Sequence, residues 1–75
     1  MELAERLKLI AKNIKKALVD KNMNQQELAT LTGMSEGCIS RYLKCERKIN
    51  IGALIKIAQV LEVTVDSLLG LDEDQ

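Results

Sequence analysis

The sequence predicts an all-α fold, five helices in one compact domain. Three observations predict it. Apolar residues between positions 3 and 20 repeat with a helical period. A helix-start signature recurs four times downstream of them. The chain also has no Pro and only four Gly in 75 residues, so little interrupts a helix.

The first helix takes residues 3–21. Leu3, Leu7, Ile10, Ala11, Ile14, Ala17 and Leu18 form one stripe, with Lys8, Lys12, Lys15 and Lys16 on the other side. Leu9 falls opposite the stripe and reads as a singly exposed leucine, with a partner contact as the other reading. Each later helix opens on an apolar residue, a capping residue, and a second apolar residue four positions past the cap. The instances are Met23-Asn24…Leu28, Met34-Ser35…Ile39, Ile49-Asn50…Leu54 and Val63-Thr64…Leu68. This is the hydrophobic staple: the outer apolar residues pack together while the cap oxygen accepts an orphan backbone N–H. Asn24 is followed three residues on by Glu27, as in a capping box. Gly33 and Gly70 suit the left-handed stop of a helix. The resulting helices are 25–32, 36–44, 51–61 and 65–69. No β-alternation, linker or long repeat is present. Residues 1–71 form the domain, and Asp72-Glu73-Asp74-Gln75 is an acidic tail expected to be solvated.

Composition excludes several classes of function. A domain of this length buries only about 60% of the surface its unfolded chain exposes, so it needs an efficient core or a partner. With no His, most zinc and imidazole-based catalytic sites are gone. No nucleophile–base pair stands out, so we expect no enzyme, no metal and no cofactor. One Tyr with no Phe or Trp gives no stacking platform for single-stranded bases. Cys38 and Cys45 lie seven apart, which in a helix separates their α-carbons by about 10 Å, too far for a disulfide. They read as reduced thiols of a cytoplasmic protein. No apolar run is long enough for a membrane span or a signal peptide. Net charge is zero but uneven. Residues 1–56 carry eleven positive and six negative charges, and residues 57–75 carry five negative and none positive. The basic segment keeps a polyanion partner open.

The second and third helices are joined through Gly33-Met34, a short Gly-containing turn between two stapled helices, which is the helix-turn-helix arrangement. On a helical wheel Cys38, Ile39 and Tyr42 point one way, with Leu43 at the border. Glu36, Gly37, Ser40, Arg41 and Lys44 point the other way. Solvent exposure alone would give such a polar face. The residues themselves say more. Asn24-Gln25-Gln26-Glu27-Leu28-Ala29-Thr30-Leu31-Thr32-Gly33-Met34-Ser35, continuing to Ile39-Ser40-Arg41, resembles the DNA-binding domain of phage-repressor-type (Xre-like) helix-turn-helix proteins. The later Ile57-Ala58, Leu61, Val63-Thr64, Asp66 and Leu68 resemble that family's closing segment. The likeness covers about residues 10 to 70.

The resemblance implies a five-helix, lambda-repressor-like DNA-binding domain whose third helix enters the major groove of duplex DNA. It implies Gln25 and Ser35 at phosphates, Glu36, Gly37, Ser40 and Arg41 facing base edges, and Lys44, Arg47 and Lys48 along the backbone. Residue chemistry agrees in part. Gln25 and Ser35 open helices, where free N–H groups favour a phosphate. Arg41 can fork onto guanine O6 and N7, a contact worth roughly 1–3 kcal/mol. Lys44, Arg47, Lys48 and Lys56 can neutralise phosphates.

The sequence departs from the family at four places. Glu36 stands where a neutral residue is common. It either accepts from cytosine N4 or simply interacts with the helix dipole, worth about 0.3–1 kcal/mol. Gly37 has no side chain to read a base. It either permits close approach or costs the helix up to ~1 kcal/mol. Cys45 replaces a common Gly, so the third helix must end differently or accept a left-handed cysteine. Leu18 and Leu43 occupy positions where many members pair an Arg with a Glu. Such an exchange of a buried ion pair for apolar packing is often neutral or stabilising. The expected function is a sequence-specific double-stranded DNA-binding transcriptional regulator, a repressor acting as a homodimer on a palindromic operator. The alternative is a protein-interaction module of the same fold, of antitoxin or anti-repressor type, that does not read DNA.

Overall fold

The structure is a computed structural model and describes residues 2–71; the acidic tail at 72–75 lies outside them. Its five helices are α1 (Leu3–Asp20), α2 (Gln25–Thr32), α3 (Glu36–Leu43), α4 (Ile51–Leu61) and α5 (Val65–Leu69). No strand occurs among the described residues.

All four caps form as expected. Asn24 accepts from the Glu27 N–H at 2.8 Å and Glu27 returns the bond to the Asn24 N–H at 3.2 Å, a complete capping box. Ser35 Oγ accepts from Cys38 N–H at 3.1 Å, Asn50 Oδ1 from Ala53 N–H at 2.8 Å, and Thr64 Oγ1 from Ser67 N–H at 3.0 Å. Each such cap stabilises its helix by about 1 kcal/mol. The staples close over them. Met23, Met34, Ile49 and Val63 are half-buried against the core, and Leu28, Ile39, Leu54 and Leu68 lie inside it.

Helices end on left-handed residues throughout. Gly33 (φ 74°) and Gly70 (φ 79°) do so as expected, and so do Asn22, Cys45 and Glu62, which carry side chains. Cys45 therefore accepts the strained conformation, with φ 60°. Its N–H bonds Tyr42 O at 3.1 Å and the Glu46 N–H bonds Arg41 O at 2.9 Å, so α3 closes in a Schellman turn one residue short of the expected boundary. The same closure, through Asn22 and Met23, ends α1 at Asp20 rather than residue 21.

Every helix contributes to one core. Ile14, Leu28, Ile39, Ile57, Leu61 and Leu68 are essentially fully buried, each worth about 1.5–3 kcal/mol of apolar burial. Leu18 and Leu43 are both buried in this cluster, where α1 packs on α3.

Leu9 corrects the sequence reading. It is half-buried rather than exposed, because α1 carries α5 on a second flank. Gly70 suits its positive φ, and Leu9 packs so close to it that a Cβ added there would meet Leu9 Cδ2 at 2.5 Å and force the leucine side chain to shift. On the same flank Asn13 Nδ2 donates to Leu68 O at 3.0 Å and Ser67 O at 3.3 Å, and Arg6 donates to Leu69 O. Two side chains of α1 thus cap the orphan carbonyls of α5. Among the described residues no helix is long and apolar enough to cross a membrane.

Candidate nucleic-acid interface

Local sequence orients α3. Ile39, Tyr42 and Leu43 bury one side, which turns Glu36, Gly37 and Arg41 outward into solvent, with Ser40 half-buried beside them. A Cβ placed on Gly37 meets nothing within 4 Å, so the backbone there faces open space. Glu36 in the first turn and Arg41 in the last both oppose the helix dipole with the favourable sign.

The flanking candidates lie at the starts of α2 and α3 and in the segment that follows α3. Gln25 is half-buried as the first residue of α2, and Ser35 is exposed as the cap of α3. Lys44 and Lys48 are exposed in the segment that leaves α3. Of the sequence-predicted residues, Ser35, Glu36, Gly37, Arg41, Lys44 and Lys48 are exposed, and Gln25 and Ser40 are half-buried.

Arg47 behaves differently. Its guanidinium carbon lies 5.9 Å from the centroid of the Tyr42 ring, and Nη1 lies 3.9 Å from Cys38 Sγ. Tyr42 also receives a hydrogen bond from Asn50 Nδ2 at 3.4 Å, and Asn50 caps α4. Cys38, Tyr42, Arg47 and Asn50 thus tie α3, its exit and the start of α4 together. The Cys38 thiol as a side-chain hydrogen-bonding neighbour, then burial, raise the Tyr42 phenol above its ordinary pKa, while the Arg47 charge pulls it down. Sequence reasoning placed Tyr42 among the anchors of α3 and missed this second use. The signal was the four-residue spacing of Cys38 and Tyr42, which sets both on the flank of α3 that its exit segment covers.

Comparison with protein-family models matches residues 13–74 to the Cro/C1-type HTH DNA-binding domain. Comparison with curated proteins found no match.

Proposed function

The chain belongs to the Cro/C1-type HTH DNA-binding domain family, and from that premise we propose that it is a sequence-specific double-stranded DNA-binding transcriptional regulator, acting as a repressor, that seats α3 in the major groove. The observation that carries the reading is the outward face of α3, polar and open while the opposite side is locked in the core. Arg41 is its principal base reader, forking onto a guanine. Ser40 and Glu36 offer shorter contacts, Glu36 as an acceptor for cytosine N4. Gly37 lets the α3 backbone approach the groove floor. Gln25 and Ser35 hold phosphates at the N-termini of α2 and α3, and Lys44 and Lys48 hold the strand that passes the exit. Arg47 keeps that exit in place through Tyr42 and Cys38.

One recognition helix reaches few base pairs, so two copies on a palindromic operator supply the affinity. We place the contact between copies at the C-terminal segment, where Leu71 is exposed and Leu69 is half-buried. The protein works in the cytoplasm with the DNA it reads.

Selection of bound sequences from a random duplex library, followed by titration over a salt series, tests the reading. Affinity should fall steeply with salt, with a slope near −0.9 per phosphate contact. Arg41→Ala should relax preference at one position by roughly 1–3 kcal/mol. A salt response that is flat would overturn the reading in favour of a protein partner.

A further inference from the structure

The lysines that the helical period sorts to the outer side of α1 have no part in the reading above, yet the fold gives three of them a neighbour. Lys8, Lys12 and Lys15 line a shallow groove together with Ala11, Leu43 and Cys45. Ala11 and Leu43 are buried, and the three lysines are exposed. The groove runs between α1 and the end of α3, at the point where Cys45 turns the chain into its basic exit. Lys44 stands between the lining residues Leu43 and Cys45 in the chain, so the segment assigned to phosphates departs from the edge of the groove.

The three lysines stand at positions i, i+4 and i+7, which align them along one side of the helix over about 10 Å at 1.5 Å per residue. Among the described residues none of them forms an ion pair, the one such pair there joining Lys21 to Glu62. Like charges at this spacing repel one another, and an anion laid along them relieves that repulsion.

We propose that this groove is a second track for the phosphates of duplex DNA, receiving one strand beyond the bases that α3 reads. The inference rests on the DNA reading given above. The occupant follows from the chemistry. A strand advances about 3.4 Å along the duplex axis per phosphate, so a 10 Å row of charges spans about three steps. Between the ammonium groups the groove offers only Ala11, Leu43 and a thiol. It holds point charges without a donor–acceptor pattern that would select an acidic peptide, and ammonium groups bind phosphate in that undirected way. The contact therefore adds affinity and salt dependence without sequence preference.

Two duplexes and two variants test it. One duplex covers a single half-site; the other extends it by one helical turn at each end. The triple variant Lys8→Gln, Lys12→Gln, Lys15→Gln removes the track. Lys16→Gln removes one charge from the same helix, but on the side that faces α5. All four side chains are exposed, and matching melts confirm that the fold is kept. The triple variant should flatten the log–log salt slope by about 2–3 on the long duplex and leave it unchanged on the short one. Lys16→Gln should leave both slopes as they are. A wild-type slope for the triple variant on the long duplex overturns the second track and leaves the DNA reading standing. So does a slope change from Lys16→Gln as large as one third of that from the triple variant, since charge rather than place would then be responsible. Wild-type protein that binds neither duplex at low salt overturns both.

Discussion

Three of the four connections between helices share one three-residue pattern, and the fourth departs from it. Asn22-Met23-Asn24, Gly33-Met34-Ser35 and Glu62-Val63-Thr64 each run left-handed residue, apolar residue, cap. The apolar residue does two things at once. Its N–H closes the helix behind it, with Met23 bonding Leu18 O at 2.8 Å, Met34 bonding Ala29 O at 3.0 Å and Val63 bonding Ala58 O at 3.0 Å. Its side chain staples the helix ahead. The α3–α4 connection begins with left-handed Cys45 and ends with Ile49-Asn50, the same pattern, but Glu46, Arg47 and Lys48 stand between. There Glu46 closes α3 and Ile49 opens α4, so the two tasks are divided between two residues. Three of the links are minimal, with an apolar residue at their centre. Where the chain leaves α3, three charged residues are added, two of them basic.

The largest effect should come from the core under the tight links. Leu18 both accepts the Met23 N–H through its carbonyl and buries its side chain near Leu43. Leu18→Arg should cost more than about 3 kcal/mol in denaturant melts, because it buries a charge without a partner. Adding Leu43→Glu should recover more than half of the loss. Simple additivity of the two single losses would show that these side chains do not meet.

Exchanging the two kinds of link sharpens the contrast. Inserting Gly-Ser-Gly between Gly33 and Met34 separates the closure of α2 from the staple of α3, and should cost about 2 kcal/mol from lost hydrogen bonds and packing. Replacing Glu46-Arg47-Lys48 by Gly-Ser-Gly should change stability by less than about 1 kcal/mol and lower the salt slope on duplex DNA by about one. Equal stability losses in the two variants would mean that the exit of α3 is as structural as the tight turn.

Within the exit, two neighbouring cations should separate. Lys48→Ala should flatten the salt slope by about 0.9, the loss of one phosphate contact. Arg47→Ala should leave the slope unchanged and instead lower stability by under about 1 kcal/mol, because its guanidinium lies over Tyr42. A slope lowered equally by both would return Arg47 to the phosphates.

The helices and their starts were legible because each is announced locally. A cap and its staple lie within five residues, so residue type and spacing carry the whole signal. The end of α4 at residue 61 was legible, but the left-handed turns at Asn22 and Glu62 were not, since a left-handed residue with a side chain looks ordinary; the cue lay in the apolar residue after it. Leu9 was misplaced because a single helical wheel allows one buried side, whereas α1 packs α5 on another. Arg6 and Asn13 reach carbonyls at least 54 residues away, a relation that no local pattern encodes. The outward face of α3 was legible from the wheel. The turn of Arg47 onto Tyr42 was not, because it depends on how the exit folds back.

The smallest predicted effects compare the left-handed residues themselves. Cys45→Gly should stabilise the protein by about 0.5–1 kcal/mol, since glycine relieves the φ of 60° while adding some freedom to the unfolded chain. Glu62→Gly relieves the same strain at φ 57°, but it also removes the ion pair to Lys21 Nζ at 2.9 Å. At neutral pH its gain should therefore be smaller than that of Cys45→Gly. Acid should close the gap. Lys21, by hydrogen bond and by charge, holds the Glu62 carboxyl below its usual 4.5. A lowered pKa in the folded state contributes stability above the unfolded value and loses it as pH falls through the folded one. As pH falls through that lowered pKa wild type loses the pair while Glu62→Gly has none to lose, so the variant's advantage should widen there. Melts at neutral and acid pH measure it. A gain from Glu62→Gly that is independent of pH would mean that the Lys21 pair adds nothing to the turn, leaving strain alone to distinguish it from Gly33.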